Sequence, residues 1–501
     1  MFDQLSKTRP TGNRSPSTPI HFLDDDSLLI IFSFCRPLLL GNLNESGVDV
    51  TQAAHLMEGG EWNLEGWWYR LTQVCRRWRY FILDSAFHLQ ISLICARGTP
   101  VADMLAHYPP LPLIIDHIDD EYVLSPEDEE GILLALQHRD RVRRIRIRQS
   151  VSILQKLIIA LDGEFPILEF LLIDNQRYYR PVINYATNLN LSETFRAPHV
   201  RELVLDNFAT PIESPILTTM RNLVSLILNK IPSSAYFHPN ILLQRLSLMP
   251  QLETLAIGFN CYNPRLDVGR QLLPTRIKTP VTLPNLRLLG FRGTSAYLEA
   301  LLPWLIIPFL ETLQVYLFNR MIYSIPHLRQ FMSTARNLYL KTATVTFDEH
   351  YLNVRTVHPR MGAMDSLDIE LGGKHLDWQV VSGAQFFPAL KTVLSAVEDL
   401  SLKYDRPNIS SEWNNEADRT HWRELLGSFG NVKTLRVAFE LAEQVSRALQ
   451  PGEGESPAEL FPELQELAYP IGGVSLASSR AFTLFIESRQ RAGRPITVNH
   501  F

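Results

Sequence analysis

Leu252-Glu253-Thr254-Leu255-Ala256-Ile257 places apolar side chains at the first, fourth and sixth positions of six residues. The last two alternate as they would on one face of a β-strand, and the first supplies an apolar residue entering it. The same six-residue pattern recurs as Val142/Ile145/Ile147, Leu168/Leu171/Ile173, Val200/Leu203/Leu205, Leu223/Leu226/Leu228 and Leu286/Leu289/Phe291. It continues as Leu310/Leu313/Val315, Ala335/Leu338/Leu340, Met364/Leu367/Ile369, Val397/Leu400/Leu402, Val432/Leu435/Val437 and Leu464/Leu467/Tyr469. The intervals run from 23 to 35 residues and average near 29, which is a repeat period.

Helical patterns lie between these short strands, among them Ile241 to Leu246, Ala296 to Leu302 and Trp422 to Leu426. Ser125-Pro126-Glu127-Asp128 reads as an N-cap, a proline in the first turn and acidic residues facing the helix dipole. Two irregular strands, near His88 to Ile94 and Pro112 to Asp116, are expected to begin the array, and Pro495 to Val498 to end it. One helix-strand unit cannot bury its own apolar face, whereas stacked units build a continuous core beside a parallel sheet. The signature resembles leucine-rich repeats of the longer, helix-containing type, with the usual Asn or Cys after the last apolar position met only at Asn260.

Upstream of the array the texture differs. Leu28, Ile31, Phe32 and Cys35 fall at helical spacing behind Asp24, Asp25, Asp26 and Ser27, which can cap and complement a helix N-terminus. Trp67, Leu71, Val74, Cys75, Trp78 and Ile82 draw a second stripe, expected on one helix, with Arg70, Arg77 and Arg79 opposite. Leu23-Asp24-Asp25-Asp26-Ser27-Leu28-Leu29-Ile30-Ile31-Phe32 and Val74-Cys75-Arg76-Arg77-Trp78-Arg79-Tyr80-Phe81 resemble the two halves of an F-box. Asp24 stands where that family has proline and Asp26 where it has glutamate, and the spacer is longer than usual. The fold expected is therefore α/β: a short N-terminal helical F-box followed by an irregular leucine-rich-repeat-like solenoid with a parallel sheet and flanking helices. The domains expected are a disordered tail at 1–18, the F-box at 19–88 with an insertion at 36–66, and the solenoid at 89–501. The combination looks like the expanded group of fungal F-box proteins.

What that resemblance implies is a substrate-recognition subunit of an SCF-type cullin-RING ubiquitin ligase. Its F-box would dock on a Skp-family adaptor and, through it, a cullin, while the solenoid holds a target protein. Adaptor contacts are expected at Phe22, Leu23, Leu28, Ile31, Phe32, Leu71, Val74, Cys75, Trp78 and Phe81. Such a subunit needs no cofactor and no catalytic residue. The alternatives are an interaction scaffold not engaged in ubiquitination, and a hydrolase or transferase whose site is assembled from distant residues.

Side chains flanking the apolar positions of each strand are expected on the concave face. They make Arg144, Arg146, Arg148, Arg292, Tyr316, Tyr339, Lys341, Asp368 and Glu370 the target-binding candidates, with Tyr and Arg being common hot-spot residues. Asp206, Asn229, Lys403 and Arg436 share that placement. Phe170, Leu172, Val204, Ile227 and Leu288 flank in the same way but are apolar, so either a partner or another segment covers them. The loop Cys261 to Pro280 is a candidate cover.

Bulk properties fit this reading. Of 501 residues 46% are hydrophobic and 20% charged, enough for a large core, and a net charge of -5 gives no general attraction to nucleic acid or an anionic membrane. Four cysteines at no metal-ligand spacing fit a reducing compartment, cytoplasmic or nuclear. The longest apolar stretch, Ala300 to Leu310, is too short to span a bilayer. No phosphate loop, dinucleotide fingerprint, nucleophile elbow or zinc-protease helix is present, and the fourteen histidines are scattered.

Overall fold

The computed structural model describes residues 23–35, 67–118, 124–175, 189–260, 279–318, 325–335, 337–338, 340–357, 365–373, 375–405, 418–450, 460–469 and 476–500. The expected tail, the whole insertion at 36–66, Phe22, Tyr339 and nearly all of the Cys261 to Pro280 loop lie outside them. Among the described residues the helices Asp25–Cys35, Trp67–Thr72, Arg76–Asp84 and Ala86–Leu89 come first.

The strands are β1 (Leu93–Cys95), β2 (Leu113–His117), β3 (Val142–Gln149), β4 (Phe170–Asn175), β5 (Glu202–Asp206) and β6 (Ser225–Ile231). They continue as β7 (Thr254–Phe259), β8 (Val281–Thr282), β9 (Leu288–Gly293), β10 (Leu305–Ile306), β11 (Thr312–Leu317) and β12 (Thr342–Asp348). The last six are β13 (Tyr351–Val357), β14 (Asp365–Gly372), β15 (Asp399–Asp405), β16 (Thr434–Val437), β17 (Glu466–Tyr469) and β18 (Thr497–His500). Sixteen form one sheet, in the order β1-β2-β3-β4-β5-β6-β7-β9-β11-β14-β13-β12-β15-β16-β17-β18, and β8 with β10 forms a separate pair.

Parallel neighbours need a crossover, and helices such as Pro126–Gln137, Val151–Ala160, Pro239–Leu246 and Arg419–Leu426 supply it. Stacking aligns the inward side chains into rows: Ile145, Leu171, Leu203, Leu226, Leu255, Leu289 and Leu313 follow one another in register. Each is 2% exposed or less, and they belong to a single core that runs from Leu28 to Phe485. The fourth position of the signature is thus the axis of the core.

The strand expected near His88 to Ile94 is corrected to Leu93–Cys95, because Ala86–Leu89 is helical, and the array departs from the expected order again after the helix Pro326–Thr334. Ala335/Leu338/Leu340 forms no strand; the strand begins at Thr342, and Leu340/Ala343/Val345 is the triplet in the signature's frame. Thr342–Asp348 and Tyr351–Val357 both alternate with period two and are joined by Glu349 and His350 alone. So short a connection permits only an antiparallel hairpin. Asp348 Oδ1 accepts the His350 amide at 3.1 Å, which bends the turn. β13 therefore runs against both neighbours, β12 and β14, inside a sheet whose other pairings are parallel. Gln379, fully buried on the helix Leu376–Phe386, donates its amide to the Asp348 carbonyl at 2.8 Å and the Gly373 carbonyl at 2.7 Å. It satisfies two acceptors where the parallel ladder is interrupted.

Residues at or just before the strand starts make a row of alternating charge along one edge. Arg143 meets Glu169 at 2.9 Å, Arg287 meets Glu311 at 3.0 Å, and Glu398 takes Lys433 at 3.1 Å and Lys341 at 3.6 Å. These pairs are solvated and contribute roughly 0–1 kcal/mol each, so they hold register more than they stabilise. Helices are also tied to one another. Glu299, on the helix Ser295–Leu301, accepts the amides of His327 at 2.8 Å and Leu328 at 2.9 Å, capping the helix Pro326–Thr334, whose own Ile325 cannot. Glu299→Ala is expected to cost about 1 kcal/mol, read as a shift in urea midpoint, while Glu299→Gln should lose less.

Candidate interaction surfaces

The helix Asp25–Cys35 is capped by Asp24, whose carboxylate accepts the Ser27 amide at 2.7 Å. Hydrogen bonds from Ser27 hold that carboxyl below its usual range. Asp24 is thus a helix cap. The second half is not one continuous stripe. Cys75 is extended, with φ -157° and ψ 168°, and its sulfur accepts the Trp78 amide at 3.5 Å, so a new helix begins at Arg76. Arg79 reaches back to the Thr72 carbonyl at 3.0 Å and holds the bend.

The two halves meet across the insertion. The Phe32 ring meets Trp78 edge-on at 4.8 Å and Phe81 at 6.0 Å. Arg77 donates to Asp25 Oδ1 at 2.8 Å and to the Leu23 carbonyl at 2.7 Å. Leu28 and Phe32, expected at the adaptor interface, are fully buried and join the solenoid core, because the helices pack on the first repeat rather than standing clear of it. Leu23, Ile31, Leu71, Cys75, Trp78 and Phe81 are half-buried. Val74 alone of the described candidates is well exposed, at 59%, and Ile30, Phe34 and Tyr80 are exposed apolar neighbours that the stripe did not single out. Trp68 joins the helices to the array: it is buried, stacks on Tyr69 at 3.9 Å and donates its indole N–H to the Ser92 carbonyl at 3.3 Å.

On the concave side, register brings the flanking residues into two rows. One runs Asp116, Arg146, Leu172, Val204, Ile227, Ala256, Gly290, Gln314, Asp368 and Arg355. The other runs Arg148, Asp174, Asp206 and Asn229, and resumes as Gly258, Arg292, Tyr316, Glu370 and Asn353. The expectation that Arg144, Arg146 and Arg148 stand open to a target is corrected here. Arg146 and Arg148 are 1% and 2% exposed. Asp116 stands opposite Arg146 at 3.9 Å, and Arg148 donates to Asp174 at 2.6 Å. Arg144 is half-buried, its guanidinium 5.0 Å from the Phe170 ring centre.

The apolar flanking positions are likewise closed. Phe170, Leu172, Val204, Ile227 and Ala256 form with Ile118 a second buried cluster, separate from the main core, so the chain covers them itself. Charge is stored beside this cluster. Burial first, and the facing Asp206 second, push the Asp174 carboxyl up to about 6, against the pull of Arg148 and Lys230. Lys230 lies 3.1 Å from Asp206, reached from a left-handed backbone at φ 49° where the β6–β7 register breaks.

The expectation that Asp368 and Glu370 stand open to a target is also corrected. Both are buried beside β13, their neighbour in the sheet: Asn353 donates to Asp368 at 2.6 Å and Glu370 at 3.3 Å, and Arg355 lies 3.3 Å and 3.9 Å from the same carboxylates. Arg292 and Tyr316 are half-buried and stacked, with the guanidinium 4.4 Å from the ring centre. Lys341 belongs to the strand edge with Glu398 rather than to the concave face. Sequence alternation at Tyr351 to Val357 is the signal that would have revealed Asn353 and Arg355.

Among the described residues no group of three His, Cys, Asp or Glu side chains is placed to hold a metal ion, and no helix is long and apolar enough to cross a membrane. Burial raises the Cys95 thiol to about 12. No protein-family model matches the chain, and no curated protein matches it. Among solved structures, a leucine-rich repeat-containing protein from Legionella pneumophila is similar at 12% identity and a TM-score of 0.26, over 81% of this chain and 99% of that one. At that score the likeness carries no argument, and the leucine-rich-repeat-like solenoid rests on the period and register of the strands themselves.

Proposed function

We propose that the chain is a substrate-recognition subunit of an SCF-type ubiquitin ligase, with the N-terminal helices binding a Skp-family adaptor and the solenoid holding a target protein. The observation that carries this reading is the pairing of the two F-box-like halves around Phe32, Trp78 and Arg77, with Ile30, Phe34, Val74 and Tyr80 left exposed beside them. Exposed apolar residues on a small helical unit are what a partner interface buries. Catalysis by such a subunit is positional: it raises the effective concentration of a target lysine near a thioester carried by another protein.

The test is coexpression with the Skp-family adaptor of the host, comparing wild type with Val74→Asp/Tyr80→Asp. Both side chains are exposed, so the double variant should melt with wild type yet retain less than a tenth of the adaptor. Wild type that purifies alone would leave the second reading. That reading, an interaction scaffold outside ubiquitination, draws on Trp68 and Ser92: the same helices close the open end of the sheet, as a terminal cap of a repeat array must.

A further inference from the structure

We infer that the C-terminal half of the concave face is a docking surface for an extended anionic segment of a target protein, held by Arg292, Lys403 and Arg436. This deepens the receptor reading by giving the chemistry of the target, and rests on it for the word target; binding itself does not require the adaptor.

Exposure divides the sheet. All residues of β4 and β7 are buried, so both faces there are closed. In β12, β15 and β16 the inward residues Ala343, Val345, Leu400, Leu402, Leu435 and Val437 are buried, whereas Thr344, Thr346 and Ser401 are half-exposed and Lys403 and Arg436 exposed. That is the pattern of a sheet with one face open.

The sign of the open face is uniform in its two central rows. From β9 to β16 the accessible charges there are all basic, because the two acids of those rows, Asp368 and Glu370, are 5% and 7% exposed and lie against Arg355. Asp348 and Asp405 lie on the same face at the far strand ends, one pleat from Lys403, and Asp399 and Glu466 at the near ones, one pleat from Arg436, so the basic stripe is confined to the two central rows. Neither Lys403 nor Arg436 is within ion-pair distance of a carboxylate among the described residues.

Geometry lets these cations act together. Ser401 faces Arg436 in register, which makes Lys403 and Arg436 diagonal neighbours roughly 7–8 Å apart at the backbone, within reach of one anion. Six strand steps separate β9 from β16, about 29 Å at ~4.8 Å each. An extended polypeptide covers that in roughly eight or nine residues. Thr344, Thr346 and Ser401 line the path with hydroxyls, and Tyr316 offers a ring already backed by Arg292.

The experiment is fluorescence anisotropy at low ionic strength with the full chain and three labelled peptides of about nine residues. One is all glutamate, one alternates phosphoserine with alanine, and one alternates glutamine with alanine. Wild type should bind both anionic peptides and not the neutral one, and the tighter of the two shows whether carboxylate or phosphate is preferred. Lys403→Glu/Arg436→Glu should weaken binding at least tenfold, with Lys403→Gln/Arg436→Gln intermediate. Arg221→Glu/Arg329→Glu, exposed residues off this face with the same change in net charge, should retain it. Retained affinity in the first variant, equal loss in the control, or no binding of either anionic peptide by wild type overturns the proposal. Adaptor copurification is read separately, so its failure leaves this result standing.

Discussion

Phe32→Ala is expected to lower stability by about 3–5 kcal/mol, the range for removing a fully buried aromatic ring. The loss should fall on the N-terminal helical unit, because Phe32 is where the halves of the motif meet, against Trp78 and Phe81. Hydrogen exchange would then show the amides of Asp25–Cys35 and Arg76–Asp84 losing protection while those of β4 to β7 keep theirs. Phe32→Leu should recover most of the loss, since volume and burial are largely retained. Ile30→Ala and Phe34→Ala, at exposed positions on the same helix, should change stability by less than ~0.5 kcal/mol. A loss below ~1 kcal/mol for Phe32→Ala would mean that the halves do not pack on one another, and the F-box reading would lose its structural support.

How much of this was legible depends on whether a residue's role is set by its own neighbours in sequence. The inward rows were readable because period-two alternation repeated at near-constant spacing leaves little choice of face, as at Leu255 and Ile257. The Ser125 cap was readable because capping is local, and its hydroxyl accepts the Asp128 amide at 3.1 Å. Asp24 was readable only as one of four possible caps. The outward rows were not legible in the same way. An arginine at a flanking position is exposed only if nothing faces it, and what faces Arg148 is Asp174, 26 residues on. The same holds at Asp368, neutralised by Arg355 from a strand that pairs out of chain order. Cys75 fitted a helical stripe equally well as a member or as a cap, since both leave it beside Trp78; the backbone angle decides it.

Arg148→Met should cost about 3–5 kcal/mol at neutral pH, and the cost should shrink on acidification. Removing one partner of a buried pair leaves the other charge without compensation. Here the charge left behind is Asp174, already pushed up to about 6 by burial and by Asp206. With the folded-state value above the unfolded value near 3.9, the native state binds the proton more tightly. This carboxyl's contribution to stability is therefore fully present below about pH 4 and lost as pH rises through 6. Without Arg148 the folded value climbs further, so the variant should lose stability up to a higher pH than wild type does. Urea midpoints from pH 4 to 8 should diverge, nearly meeting at the acid end and differing most at the neutral end. Asp174→Asn supplies the complementary test: because it cannot ionise, its stability relative to wild type should rise between pH 4 and 7. If instead the Arg148→Met deficit is constant across that range, lost packing of the arginine stem accounts for it, and the carboxylate pair beside the second apolar cluster has no part in the protein's response to pH.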